Sequence, residues 1–380
     1  MASGLSASGR AGATGQRGFL GELRDAVNGR TAMLVVAVLL LQFGFIVSYI
    51  GALHHPYPHR ASIGVVAPPQ VSAQTVAGLN ALPRQELDAS PVADEPTAVD
   101  RIRTQKIYSA LVVNPTGTQD RLLVANAAGP ALATAVTQVV TAAEQRQGRT
   151  VAVTDVVPLA SGDAEGLSGF YLAIGWCVGG YLVASLLGIS AGTRPANPRR
   201  AVIRLGSLLL YSVAAGLGGA VIAGPVLGAL PGSVVALWGV GTLVVFGVGA
   251  VTMALQCFFD VIGIGIAVLL FVILGNPSAG GVFPPPLLPS FWRAIGPWLP
   301  NGAGTDLNRV VAYFHAGTIL RPVLVLVVWS VVGVAATMLA ASLRPRGGRP
   351  GLSESHGSER AQQGRGELRE QPPGADSPVH

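Results

Sequence analysis

Long runs of uncharged, mostly apolar residues alternate with polar segments along this 380-residue chain. Uncharged runs of about 20 residues are typical of transmembrane helices, because that length crosses the hydrocarbon core of a bilayer. The pattern therefore predicts six membrane-spanning helices. Their predicted bounds are 31–53, 167–191, 202–227, 233–255, 256–275 and 319–343.

The fifth predicted helix depends on where its start is placed. The apolar run over 261–275 would measure about 22 Å at ~1.5 Å per residue, which is short of a hydrocarbon core of about 30 Å. We therefore extend the helix back to Gln256 and predict a tight cytoplasmic turn over 256–260. This choice places Asp260 at the membrane edge, where we interpret it as an interfacial residue at a helix start. A proton relay is the alternative hypothesis for Asp260.

Arginines predict the orientation of the helices. They precede the first helix, follow the sixth, and cluster between the second and third helices. The loop between the third and fourth helices, GALPGS, has no arginine. By the positive-inside rule both termini are cytoplasmic, and the predicted cytoplasmic segments carry the whole net charge of +6. The sequence thus predicts a multi-pass protein of the plasma membrane. Its basic character indicates contact with the lipid bilayer and no nucleic-acid partner.

The longest polar segment, 54–166, predicts an extracytoplasmic α/β domain between the first two helices. The fold class is accordingly an α-helical polytopic membrane protein with one such domain. β-branched runs indicate strands there, and prolines and glycines mark helix ends. The predicted elements are a strand at 62–68, a helix at 71–82, a loop at 86–96, a helix at 96–107, a β-hairpin at 108–126, a helix at 129–148 and a strand at 151–160.

The two ends of the chain lack the apolar residues that a folded core needs. Residues 1–17 and 344–380 are therefore predicted to be disordered. Between the first of these and the first helix, residues 18–30 place apolar side chains at helical spacing. They predict a short amphipathic helix on the cytoplasmic membrane surface, and a plain juxtamembrane linker is the alternative.

The chain shows no motif for ATP binding or hydrolysis, and Lys106 is its only lysine. We therefore predict that it is not an enzyme, and we assign no catalytic, cofactor-binding or metal-binding residue. His54, His55 and His59 are the candidates for a metal site, but neither carboxylate nor cysteine stands beside them. We interpret the HHPYPHR stretch as a polar exit from the bilayer.

The predicted spans carry no charge at their centres, and Gln42, Gln256 and Asp260 are strongly polar residues in or near them, with Asp260 at an edge. Ion-coupled transporters carry charged groups within the membrane, so this pattern disfavours ion-coupled transport.

Two stretches carry a resemblance to a known family: KIYSALVVNPTGTQDRLLVANAAGPALATAVTQVV (106–140) and NPSAGGVFPPPLLPSFWRAIGPWLPNGAGTDLNRVVAYF (276–314). Together with the order of the segments, they resemble the type 2 ABC-transporter permease superfamily. Within it, the chain is most similar to permease-like membrane proteins related to the phage infection protein group. The resemblance covers roughly residues 18–343.

This resemblance implies a permease subunit that works as a homodimer or heterodimer and exports a lipid-like or amphipathic molecule with a separate ABC ATPase. It also implies that residues 276–318 fold back as re-entrant or interfacial pieces that cap a translocation path. An ordinary extracytoplasmic loop is the alternative for that segment. Residues 18–30 and the loop Gly192–Arg204 would contact the ATPase, although that loop is short and proline-rich. The alternative function is a scaffold without transport, which acts through the extracytoplasmic domain.

Overall fold

The computed structural model describes residues 29–314 and 318–343. The segments predicted to be disordered, 1–17 and 344–380, lie outside the described residues. The predicted amphipathic helix over 18–30 also lies outside them, except for its last two residues. Those two residues already belong to the first long helix.

A small α/β module follows the first helix, α1 (Gly29–Leu53), and confirms this part of the predicted fold class. Its five strands form one sheet in the order β2-β1-β3-β4-β5. Only β3 and β4 pair antiparallel, as the predicted hairpin requires. The strands are β1 (Ala61–Val66), β2 (Leu87–Val92), β3 (Ser109–Val112), β4 (Gln119–Val124) and β5 (Thr150–Asp155). The helices are α2 (Pro69–Asn80), α3 (Glu95–Arg103) and α4 (Pro130–Gln145).

Strand β2 corrects the sequence analysis, which predicted a loop over 86–96. It pairs parallel with β1 along its whole length, from Ala61 opposite Leu87 to Val66 opposite Val92. The strand lies at the edge of the sheet, where a proline in the strand is tolerated because one side of the strand needs no hydrogen bonds. The polar residues of β2 suggested a loop. The burial of its other residues results from pairing with β1, which local sequence does not reveal.

Alternate residues of the central strands face opposite sides of the sheet. Ile63 and Val65 of β1 pack with α2 and α4 on one side. Ala110 and Leu123 face the other side, where they pack with Ile102 of α3. Right-handed crossovers in opposite directions along the sheet place α2 and α3 on opposite faces. The module therefore has three layers, with the sheet in the middle.

A buried ion cluster closes the edge of the sheet where β4 and β5 begin. Arg149 donates to both oxygens of Asp120, at 2.6 and 2.5 Å, and to the carbonyl of Asn114 at 2.9 Å. A second buried carboxylate, Glu144, lies 3.6 Å from the same guanidinium. Burial, followed by the nearby Asp120 carboxylate, raises the pKa of Glu144 to about 7. A single arginine, Arg149, therefore lies beside both Asp120 and Glu144, and the ionisation of one carboxyl group disfavours that of the other.

Among the described residues, six helices are long and apolar enough to cross a membrane. They point to a multi-pass membrane protein, and this coarse prediction is confirmed. These spans are Thr31–Leu53, Ser168–Ala191, Pro198–Val226, Val234–Phe259, Val261–Ser278 and Leu320–Ser342. Beyond α1, the corresponding helices are α5 (Ser168–Ala191), α6 (Pro198–Val221), α7 (Val234–Phe259), α8 (Val261–Val268) and α12 (Leu320–Ser342).

The connection between α7 and α8 differs from the predicted turn over 256–260. Helix α7 continues through Phe259, and Asp260 alone reverses the chain, with a φ of 54°. Gln256 stays helical because it is fully buried and packs against Gly188 of α5. The fifth helix gains its length at its other end instead, where it runs on to Ser278.

Helix α6 begins earlier than the predicted start at residue 202. The Asn197 side chain accepts a hydrogen bond from the backbone N–H of Arg200 at 2.9 Å, and Pro198 occupies the first helical position. This cap is typical of a helix start. Much of the loop predicted over Gly192–Arg204 is therefore the first two turns of α6.

Glycines set the closest contacts around α7, which is the central and most buried of the long helices. A Cβ added at Gly180 of α5 would lie 2.7 Å from the carbonyl oxygen of Val245. One added at Gly333 of α12 would lie 2.6 Å from the backbone of Ala250. Small residues let helices in membranes approach closely where side chains would keep them apart.

The fifth helix changes from α to π winding over Leu269–Leu274, before the short helix α9 (Gly275–Ser278). Irregular winding disturbs the regular ladder of backbone hydrogen bonds, and other groups must then satisfy the carbonyls. Three consecutive carbonyls here accept hydrogen bonds from side chains of other elements. These bonds run from Asn301 Nδ2 to Phe271 O (2.9 Å), from Tyr49 Oη to Val272 O (3.4 Å) and from Ser48 Oγ to Ile273 O (2.5 Å).

Further hydrogen bonds join these donors into one network. Asn301 also donates to Asn276 Oδ1 at 2.7 Å, and Asn276 donates to the Tyr49 hydroxyl at 3.0 Å. The indole of Trp292 donates to Ser48 Oγ at 3.2 Å. Because α1 is otherwise mostly exposed, this network is its principal polar attachment to the bundle.

We predict that replacing Glu144 with Gln flattens the pH dependence of stability between about pH 4.5 and 7. The folded-state pKa of Glu144 lies above its ordinary value, so in this window the folded protein binds more protons than the unfolded chain. Its contribution to stability is therefore present below this window and lost as the pH rises through about 7. Melting curves of the purified chain in detergent, followed by circular dichroism at pH 5 and 7.5, would test this. An unchanged pH slope in Glu144→Gln would contradict it.

We also predict that Asn301→Leu lowers the free energy of unfolding by about 2–4 kcal/mol, since the Phe271 carbonyl and the Asn276 side chain each lose a buried donor. Thr305→Val is the matched control, because Thr305 is equally buried but bonds only the carbonyl of Asn301 within its own helix. Thermal unfolding in detergent measures both variants. Equal melting temperatures for the two would refute a special role of Asn301.

Candidate functional site

The segment between the fifth and sixth spans contains a buried helix, whereas the sequence predicted only short re-entrant or interfacial pieces over 276–318. This helix, α11 (Pro300–Tyr313), packs between α5 and α7. Near its start, Asn301 reaches the π-wound part of the fifth helix. Near its end, Asn308 donates to the carbonyl of Gly169 at the beginning of α5, at 2.8 Å. Helix α11 thus runs from inside the bundle to the end where the module attaches.

The proline-rich stretch before α11 forms the contact between the module and the bundle. The carbonyl of Pro286 accepts from the backbone N–H of His59 at 2.8 Å. Arg293, in the short helix α10 (Ser290–Ile295), donates to the carbonyl of His59 at 3.4 Å. Pro284 packs so closely on Gly129, at the start of α4, that a Cβ at that glycine would clash. The proline-rich stretch therefore forms a conformationally restricted surface that contacts the module.

A cavity of about 450 Å³ lies at this junction. This volume falls within the range of ordinary ligand pockets. The module supplies Tyr108 and two isoleucines, the proline-rich stretch supplies Arg293, and α11 and α12 supply the remaining charges. The charged residues that line it are Arg293, Asp306, Arg309 and Arg321. Three guanidinium groups against one carboxylate give the cavity wall a formal charge of +2.

The arginines differ in how far the protein already satisfies them. Arg309 is buried, lies 3.9 Å from the Asp306 carboxylate and donates to the carbonyl of Gly280 at 3.0 Å. Arg321 is exposed, and its guanidinium lies over the ring of Trp298, 5.7 Å from the ring centroid. Among the described residues, neither Arg293 nor Arg321 forms an ion pair. These two side chains can therefore offer hydrogen-bond donors to an anion.

Tyr108 of the module also lines this cavity, and the charges around the cavity affect the pKa of its hydroxyl. Burial raises the pKa of its hydroxyl to about 12, and the Asp306 carboxylate contributes in the same direction. The guanidinium groups of Arg309 and Arg321 partly offset this effect. The phenol therefore stays neutral at physiological pH, and it can donate a hydrogen bond into the cavity.

An apolar groove of about 450 Å³ continues from this cavity along α12. The two spaces share Thr318 and Arg321 as lining residues. Trp298 and Trp329 both line the groove, and the indole of Trp329 donates to the carbonyl of Trp298 at 2.8 Å. The other lining residues are Leu320, Leu324, Val325 and Val328. Cavity and groove together form an amphipathic site with a cationic end and an apolar end.

The residues singled out in the sequence do not line this site, although Arg293, which does line it, donates to the carbonyl of His59. The part of the chain that the structure describes holds no group of three residues arranged to bind a metal ion. His54 lies within hydrogen-bond distance of the Ile50 carbonyl, and the His59 ring lies 4.1 Å from that of Tyr57, between centroids. Asp260 is exposed at the turn between α7 and α8.

Sequence reasoning missed the charged residues of the cavity. A signal was present, because Asp306 and Arg309 are the only formal charges between Arg293 and Arg321, and they stand three positions apart. On a helix that spacing places two side chains on the same face. The sequence analysis predicted short re-entrant or interfacial pieces for this segment and assigned no helix over these two residues, and so it did not draw this inference.

Comparison of the chain with protein-family models, with curated proteins and with solved structures gives no match. The resemblance to type 2 ABC-transporter permeases therefore stays a prediction. Functional conclusions depend on the geometry of the site and on the six apolar helices.

Proposed function

We propose that this protein is a permease-like subunit of the plasma membrane that exports a lipid-like or amphipathic small molecule. The observation that supports this most directly is the amphipathic site at the junction of module and bundle. Its cationic cavity and apolar groove share Thr318 and Arg321, so one molecule can occupy both. The groove lies along α12, which is long and apolar enough to cross a membrane.

The proposed orientation places both termini in the cytoplasm and the α/β module outside. It is supported by the arginines at the ends of the predicted cytoplasmic segments. In this orientation the amphipathic site lies at the outer end of the bundle, beneath the module. Helix α11 would then be a re-entrant helix, since its 14 residues measure about 21 Å at ~1.5 Å per residue and do not span a bilayer.

The proposed energy source is a separate ATPase. This chain shows no phosphate-binding loop, and the charged residues of its described spans, such as Arg204 and Arg321, lie near the span ends. The centres of the spans hold no ionisable group that could couple transport to an ion gradient. A docking surface is offered by the first turn of α6, where Arg199 and Arg200 are exposed. The permease resemblance also favours a dimer, and the mostly exposed surface of α1 leaves room for a second subunit.

A scaffold that acts through its module is the second candidate function. A groove of about 510 Å³ between α2 and α4 supports it. Gln74 and Thr75 line one wall of this groove, and Glu144 and Arg146 line the other. Such a groove suits a partner that approaches the module from outside.

Co-purification from native membranes in mild detergent, with mass spectrometry, separates the two functions. We expect a stoichiometric ATPase to accompany the protein. We expect the double variant Arg199→Glu, Arg200→Glu to lose it, because charge reversal at a docking surface opposes association. Arg146→Glu, an exposed arginine on the module, is the control. Absence of any ATPase, with recovery of partners that depend on Arg146, would support the scaffold instead.

A further inference from the structure

The cavity of the amphipathic site carries a net positive formal charge. This charge restricts the kinds of head group that the site can bind. Its cavity wall combines three arginines with one aspartate. Arg309 and Asp306 partly neutralise one another, at 3.9 Å. The remaining charge comes from Arg293 and Arg321, which approach from different elements, α10 and α12. A cationic or uncharged head group would leave these two guanidinium groups without an anionic partner.

Guanidinium groups bind phosphate oxygens well, because their planar array of N–H donors matches the spacing of two oxygens. A phosphate group offers several oxygens in different directions, which suits donors that converge from different elements. The neutral Tyr108 hydroxyl adds a donor from the module side. The cavity, at about 450 Å³, is also larger than a lone carboxylate needs.

The groove defines the other half of the occupant. Leu324 and Val328 line it and are 51% and 57% exposed, so the groove opens on the outer surface of α12. On a membrane-spanning helix that surface faces acyl chains. A lipid tail can therefore enter from the bilayer without crossing water. The indole of Trp298 lies at the boundary, with Arg321 over its ring, as is typical of aromatic residues near head groups.

We propose that the site binds an anionic phospholipid, with the phosphate among Arg293, Arg309 and Arg321 and an acyl chain in the groove along α12. This proposal rests on the proposed function, because it names the class of amphipathic molecule. It goes further in requiring a negative charge and a tail at the same time. A zwitterionic lipid adds a cationic group that the arginines repel, and a free phosphate ion has no tail for the groove.

The test uses the purified full-length chain and native mass spectrometry of lipids retained from mixed micelles. Phosphatidylglycerol and phosphatidylcholine are the lipid probes, and inorganic phosphate tests the head group alone. We expect retention of phosphatidylglycerol to exceed that of phosphatidylcholine by about tenfold, because both lipids carry the phosphate but only phosphatidylcholine brings an ammonium group beside the arginines.

Variants separate the two ends of the site. Arg321→Gln should remove most of the preference, Arg321→Lys should keep part of it, and Arg146→Gln, at an exposed position outside the site, should leave it unchanged. Leu324→Trp should fill the groove and lower retention of both lipids. Val332→Trp is its control, because Val332 is similarly exposed on α12 and does not line the groove.

Each remaining outcome contradicts a different part of the proposal. Equal retention of both lipids, still lowered by Leu324→Trp, would overturn the anionic head group and leave an amphipathic ligand in place. Binding of inorganic phosphate without either lipid would show a free-anion site and overturn the tail. Retention of neither lipid and no phosphate would remove the support for the proposed function as well.

Discussion

Backbone carbonyls inside an apolar bundle need hydrogen-bond donors, and this requirement governs how the bundle is assembled. The fifth span is π-wound over Leu269–Leu274, and three of its carbonyls take donors from distant side chains. Water is absent from the hydrocarbon core, so unsatisfied groups there would cost several kcal/mol each. Asn301 supplies one donor, and α1 supplies the other two through Ser48 and Tyr49. A single irregular stretch thereby attaches both α1 and the start of α11.

The same attachment positions the candidate site. Because Asn301 holds the start of α11 inside the bundle, the rest of that helix must run outward between α5 and α7. About one to two turns further along, Asp306 and Arg309 reach the junction with the module. The proline-rich stretch completes the cavity, since Pro284 packs on Gly129 and Arg293 bonds the carbonyl of His59. The polar network in the bundle and the prolines at the junction thus place charges from separate elements around one space.

Much of the fold could be predicted from the sequence, because apolar runs of membrane length and β-branched strands are local signals. The errors occurred where tertiary contacts override local pattern. Gln256 remains helical because it is buried against Gly188, although the length that the fifth span requires suggested a turn there. Strand β2 carries Asp88 and Pro91 and acquires its identity from pairing with β1.

The candidate site was less accessible to sequence reasoning than the fold. Its charged residues are spread over 29 positions, from Arg293 to Arg321, and belong to three different helices. They come together only because α11 runs in a particular direction. The proline-rich stretch before α11 gave no sequence signal from which that direction could be predicted. The positive charge of the cavity therefore results from how the helices pack together. It cannot be predicted from any single stretch of sequence.

The placement of Arg309 shows why charges are compatible with an otherwise apolar bundle. It lies in the last half of α11, buried, with its guanidinium bonded to the Gly280 carbonyl and near Asp306. Burying an arginine is costly unless its donors are satisfied. Helix α11 ends at the module, so this guanidinium lines the cavity and does not lie against lipid. A helix that does not cross the whole bundle therefore allows charged residues to lie between the α/β module and the six apolar helices.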